Sequence, residues 1–252
     1  MFPRPILFPF ACLLAACTTA PPAPAGVPFD VTGLQADPGF VEADADVAAA
    51  KAQIEAFFGR PFAEPVRVTI AADRAAFDAV MPAEWGMTPT QCWMVGVGVA
   101  DWFAVLSPAA WAGEACEHDG RDAEAVRELI AHELTHSYHG QNNPTRDFTG
   151  MDDMGWFVEG LATYVSGQLD GDHASDAAAA IAAGQAPAEL EAAWGGKYRY
   201  GVSGSMVAFI DDRFGRDALT ALLPATSEAE LLGRLGLTEA EFLESWKAWV
   251  TA

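Results

Sequence analysis

His132-Glu133-Leu134-Thr135-His136 puts two imidazoles and a carboxylate within one short stretch. On an α-helix, positions i and i+4 share a face, so both rings can reach a single ion. Zinc suits nitrogen ligands of this kind and needs no redox chemistry. Glu133 lies beside the ligand face, where its carboxylate can touch a water at the ion without binding the ion. The bland alternative is a packed helix that happens to hold two histidines. Val126, Leu129 and Ile130 give the helix an apolar back face that would bury it.

A second segment follows, Trp156-Phe157-Val158-Glu159-Gly160-Leu161-Ala162-Thr163-Tyr164, with Glu159 23 residues beyond His136. Taken alone, Glu159 reads as an exposed helix acid. The pairing of the two segments resembles the gluzincin metallopeptidases, whose second helix often reads W-x-x-E-G-x-A-x-Y. The resemblance implies that Glu159 is the third protein ligand and that Gly160 lets its helix pack closely on the site. It covers mainly Ala123 to Gly215, with the catalytic letters in two short segments. Metzincins continue the first motif differently: here His139 stands at their glycine position and Asn142 at their last ligand position. Asp152 and Asp153 could offer an aspartate ligand, as in aspzincins, but they read more simply as a capped turn. Thermolysin-like gluzincins carry an Asp four residues after the ligand Glu. Thr163 stands there, so the carboxylate that orients a ligand histidine is missing. Asp152, Asp153 or a backbone carbonyl are the open alternatives for that task.

Tyr200-Gly201-Val202-Ser203-Gly204 resembles the Tyr-x-x-Gly segment of aminopeptidase-type gluzincins, with the glycine one position late. The resemblance implies that the Tyr200 hydroxyl donates to a tetrahedral intermediate. A phenol suits that role because it donates while staying neutral near pH 7. Tyr198 is the competing phenol, and packing is the alternative for both. His139 lies near the end of the motif helix and reads as a C-terminal cap. His118 and His173 sit in polar loops with no evident partner. Trp85, Trp93 and Trp102 read as packing residues, with a substrate groove as the alternative. The acid clusters Asp44–Asp46, Asp152–Asp153 and Asp211–Asp212 read as solvated faces without calcium-loop spacing.

These residues need elements to position them. Helices are predicted over Asp44–Phe58, Asp73–Met81, Ala123–His139, Gly155–Leu169, Ala174–Ala183, Ala188–Trp194, Val202–Phe214 and Glu239–Val250. Pro65–Ala71 alternates like a half-buried strand. Trp93–Ala100 and Trp102–Ser107 are β-rich runs around Asp101, a hairpin or a bent strand. Strands early and helices late indicate an α+β fold.

Composition bounds the rest. The chain has 252 residues, 51% of them hydrophobic, enough for a substantial core. Its 14 Lys+Arg against 35 Asp+Glu give a charge of −21, which disfavours nucleic acid as a partner. Met1 to Ala16 reads as an export signal, with Arg4 ahead of an eleven-residue apolar run too short to span a bilayer. Leu14-Ala15-Ala16-Cys17 resembles the lipobox of bacterial lipoproteins, which implies lipidation of Cys17. An ordinary signal peptide, cut after Ala23-Pro24-Ala25, is the alternative. Thr18 after Cys17 implies, by the same resemblance, an outer-membrane location facing the periplasm. Residues 17–28 read as a Pro/Ala-rich tether, and residues 29–252 as one peptidase domain. With Cys12 in the signal and Cys17 lipidated, Cys92 and Cys116 remain, and in an exported protein they suggest one disulfide. Two separate buried thiols are the alternative.

The resulting expectation is a zincin-like α+β fold with a small β-containing lobe, a helical C-terminal part and the site in the cleft between them. One Zn²⁺ would sit on His132, His136 and Glu159, with Glu133 as base and Tyr200 as oxyanion donor. The substrate would be a peptide or protein, and Cys17 would anchor the chain to the membrane. The alternative is a non-catalytic envelope lipoprotein that keeps zinc for structure and binds a partner. A fourth protein ligand, His139 or Asp153, would mark that case.

Overall fold

The computed structural model describes residues 30–33, 38–171 and 173–252. The expected export signal 1–16, the expected lipidation site Cys17 and the expected tether 17–28 lie outside the described residues. The chain is mixed α+β and mostly helical.

Four strands form one sheet in the order β1-β2-β4-β3, namely β1 (Asp30–Gly33), β2 (Arg67–Ala71), β3 (Gly96–Val99) and β4 (Trp102–Leu106). In and beside β2, Val66, Val68 and Ile70 are buried while Arg67 is exposed, the alternation of a strand with one covered face. β1, β2 and β4 run parallel, and β3 runs antiparallel to β4. The turn at Ala100–Asp101 closes a β3–β4 hairpin, so β3 is left at the sheet edge.

Helix α1 (Pro38–Phe58) begins six residues earlier than the predicted helix. α2 (Arg74–Val80) starts where the Asp73 carboxylate accepts from the Ala76 N–H at 2.8 Å. α3 (Pro108–Glu114) was not expected; Pro108 at its first turn costs no hydrogen bond there. Cys92 and Cys116 are joined by a disulfide, Cα–Cα 5.2 Å, which ties the loop before β3 to the segment after α3. α4 (Ala123–Gln141) is capped by Asp122 and is buried along its second half. It packs against β3, α1 and the following helix α5 (Gly155–Ser166).

The C-terminal part differs from expectation in three places. α5 stops at Ser166, not Leu169, because Gly167 takes φ 98° and turns the chain left-handed. The stretch expected as a helix over Ala188–Trp194 is a 3₁₀ turn, Leu190–Trp194. After α6 (Asp176–Ala182) and α7 (Arg199–Phe214) come two unexpected helices, α8 (Arg216–Leu222) and α9 (Glu228–Leu235). Gly215 at φ 89° separates α7 from α8. α10 (Glu239–Val250) opens on a capping box between Thr238 and Glu241. One continuous apolar core runs from the sheet through α4, α5 and α7 to Trp246 of α10. No helix among the described residues is long and apolar enough to cross a membrane.

Candidate metal centre

Helix geometry alone brings His132 and His136 together: their rings lie 4.8 Å apart, edge to face, on one side of α4. What that side meets is set by two glycines of β3. A Cβ at Gly98 would collide with the Glu133 carbonyl and come within 3.2 Å of the His136 Cβ. A Cβ at Gly96 would collide with the Glu133 carboxylate. The sequence Gly96-Val97-Gly98-Val99 therefore lets α4 lie closely on the edge strand, with Glu133 folded against it.

Glu159 arrives from α5. A Cβ at Gly160 would run into the Ser203 carbonyl of α7, and one at Gly204 would stand 3.0 Å from Thr163 Cγ2. Small residues on both helices thus permit the close α5–α7 packing that turns Glu159 toward α4. Its Oε2 lies 3.2 Å from His132 Nε2 and 3.7 Å from His136 Nε2. His132, His136 and Glu159 are the one group of potential metal ligands among the described residues, with all three donor atoms within 4.8 Å of one another.

The donor set fits a borderline-soft divalent ion. Bonds of about 2.0–2.2 Å at tetrahedral angles hold neighbouring donors about 3.3 Å apart, close to the two histidine–carboxylate separations here. The tautomer fits too. His132 Nδ1 lies 2.8 Å from Gln168 Oε1. Since an amide oxygen only accepts, Nδ1 carries a proton, so Nε2, on the Glu159 side, is the nitrogen that can give up its proton to ligate an ion. Gln168 thereby takes the orienting place that Thr163 leaves empty; neither Asp152 nor Asp153 takes it. Thr163 donates instead to the Glu159 carbonyl at 2.9 Å. His136 Nδ1 is buried without a hydrogen-bond partner among the described residues.

The electrostatics follow from this crowding. Burial pushes the Glu133 carboxyl up to about 8, against the pull of His132 and with a further push from Glu159. Burial also pushes Glu159 up, but His136 and His132 outweigh it and hold the carboxyl well below the usual range.

Tyr200, at the start of α7, reaches the site: its ring lies 6.2 Å from that of His132. Burial and Glu159 push its hydroxyl up to about 12, with Arg199 pulling the other way, so the phenol stays protonated. Tyr198 packs on the core with Lys197 over its ring, apart from the triad.

Several expectations are corrected. His139 does not cap its own helix. It is fully buried, its Nε2 donates to the Leu223 carbonyl at 3.1 Å, and it is no ligand. Burial, with His136 beside it, pushes it down to about 3, so it is neutral. Asp153 accepts from the Glu228 N–H at 3.0 Å in the first turn of α9, whose N-cap is Ser227. His118 and His173 do have partners, the Trp93 carbonyl and the Asp176 carboxylate. Asp211 is no solvated acid, since Arg216 and Tyr164 both bind it. Trp85 stacks on Trp102, whereas Trp93 is exposed. Gln168, Gly96 and Gly98 escaped the sequence reading. Only the G-x-G pattern within a β-rich run hinted at the last two.

No family model, curated protein or solved structure matches the chain.

Proposed function

We propose that the chain is a zinc-dependent peptidase of the gluzincin type, acting in the bacterial cell envelope. The observation that carries this reading is the convergence of His132, His136 and Glu159, with Glu133 beside them on the strand side. When bound, zinc supplies Lewis acidity toward a water and a scissile carbonyl. His132, His136 and Glu159 would hold it, and Gln168 keeps the His132 ring in the ligating tautomer. In its ionised form, which a cation at the triad would favour against the burial that raises it, the Glu133 carboxylate takes a proton from the attacking water and delivers it to the leaving amine nitrogen. Tyr200 Oη donates a hydrogen bond to the oxyanion that develops on the carbonyl. The Gly96-to-Glu133 packing limits the motion of that carboxylate and so its distance from the reacting atoms.

A structural zinc site would normally close with a fourth protein ligand. The two side chains suited to that place are engaged elsewhere, His139 with Leu223 and Asp153 with Glu228. This favours catalysis over the non-catalytic alternative.

Elemental analysis of purified protein, with peptide-library cleavage before and after a chelator, tests the reading. One zinc per chain and chelator-sensitive cleavage are expected. Glu133→Gln should keep the metal and lose about 100- to 10,000-fold in turnover. A Glu133→Gln protein cleaving peptides at the wild-type rate would falsify the mechanism.

A further inference from the structure

Arg199 is placed unlike any other cation among the described residues. Its guanidinium carbon lies over three aromatic rings at once: Tyr200 at 4.9 Å, Trp194 at 5.7 Å and Trp93 at 5.8 Å. The chain carries 35 acidic residues against 14 Lys+Arg, so a carboxylate partner was readily available. None of the ion pairs among the described residues includes Arg199. Its one protein carbonyl contact is a long bond to Gly196, 3.4 Å. The rings surround the guanidinium and one N–H of the fork lies on the Tyr200 hydroxyl, while no carboxylate among the described residues pairs with the rest of the fork.

The location gives this cation a task. Steps of 4.9 Å to the Tyr200 ring and 6.2 Å on to the His132 ring put it about 11 Å or less from the imidazole, a span of about three extended residues. Trp93 is 39% exposed and Arg199 itself half-buried, so the group faces solvent beside the triad. Trp93 follows Cys92, whose disulfide to Cys116 fixes one wall of this cluster.

We infer that Arg199, framed by Trp93, Trp194 and Tyr200, is a specificity-determining residue that binds a carboxylate of the peptide substrate within about three residues of the scissile bond. The inference rests on the peptidase reading for the word substrate. The chemistry itself is that of the fork: two parallel N–H donors match two carboxylate oxygens, and stacking on the rings spares much of the entropy of ordering the side chain. An amide of the same shape cannot accept through both atoms. The carboxylate can come from an acidic side chain or from the peptide C-terminus.

Two probe pairs separate these sources. One is an N-acetylated oligoalanine peptide as free acid and as C-terminal amide. The other is the amidated peptide with a single Glu or Gln moved along it. Binding is followed by tryptophan fluorescence in Glu133→Gln protein, where peptides stay intact, and hydrolysis in the wild type. The acid member of at least one pair should bind about 10- to 100-fold more tightly than its neutral twin. Arg199→Met, which keeps the aliphatic stem on the rings, should bring that ratio to near one, and Arg199→Lys should restore part of it. Should Arg199→Met fail to fold, as judged by thermal melting, Arg199→Gln supplies the same comparison. Equal binding of acid and neutral probes by the unsubstituted Arg199 site, or an acid preference that survives loss of the guanidinium, overturns the subsite. Hydrolysis without acid preference sinks the subsite alone. Arg199-dependent acid binding without hydrolysis of any peptide sinks the peptidase reading and leaves the carboxylate site standing.

Discussion

Gln168 shows how much a candidate metal site depends on a residue outside its potential ligands. It lies 36 positions from His132 along the chain, yet its amide oxygen decides which imidazole nitrogen faces Glu159. Without that acceptor the ring can rotate or take the other tautomer. On the proposed zinc reading, Gln168→Ala should weaken zinc binding about 10- to 100-fold, measured by competition with a chromophoric chelator, while leaving the far-ultraviolet circular dichroism unchanged. An unaltered affinity would mean that α4 packing alone orients His132. Asp211 offers a second residue-scale prediction, away from the site. Burial pushes its carboxyl up, but Arg216 and Tyr164 together outweigh that and hold it below its ordinary value. A carboxyl depressed in the folded state contributes stability above its unfolded range and loses that contribution as pH falls through the folded value. The melting-temperature gap between wild type and Asp211→Asn should therefore be widest near neutral pH and narrow in acid. A gap constant across that range would refute the assignment.

At the scale of elements, the determining contact is α4 on β3. The two glycines of the strand make distinct demands. At Gly96 the obstacle to a side chain is the Glu133 carboxylate, the far end of a movable group. At Gly98 it is the helix backbone itself. Gly96→Ala should therefore act on turnover more than on stability, since Glu133 can swing aside at the cost of its aim. Gly98→Ala should act on stability, by about 1–3 kcal/mol, because strand and helix must part. Paired denaturant melts and peptide-cleavage rates for the two variants check this; equal effects on both quantities would contradict it. The same principle governs α5 and α7, where Gly160 and Gly204 permit the approach that carries Glu159 toward the histidines. That the β-rich run contained two glycines was visible in the sequence. Which helix would press on them was not, because the contact joins segments 35 to 38 residues apart.

For the whole molecule, the disulfide matters because the sheet is small and the loop before β3 is long. Cys92 and Cys116 close a loop with a sequence separation of 24. By loop entropy the bond should contribute about 3 kcal/mol. The double variant Cys92→Ser, Cys116→Ser should lose about that much in denaturant melts, and its Trp93 fluorescence should change as the wall beside Arg199 loosens. An unchanged midpoint would place the stabilisation elsewhere, in the core that runs from the sheet to Trp246.

Local chemistry determined what could be read directly from the letters. The i,i+4 histidines, the Asp73 and Asp122 caps and the alternation through β2 each rest on contacts a few residues apart, where backbone geometry leaves little choice. The pairing of Cys92 with Cys116 was legible because the expectation of export and of a lipidated Cys17 leaves only these two cysteines. The tertiary structure alone decided the rest. α8 and α9 are short and owe their helicity to packing more than to periodicity, so they left a faint signature. His139 looked like a terminal cap because its carbonyl partner, Leu223, is 84 residues away. Glu159 was legible only through the resemblance of its segment, while Gln168 and Arg199 are ordinary polar side chains along the chain; the docking of α5 and α7 on α4 is what brings all three near His132. Long-range packing selects partners by shape and burial, and neither quantity exists until the core has formed.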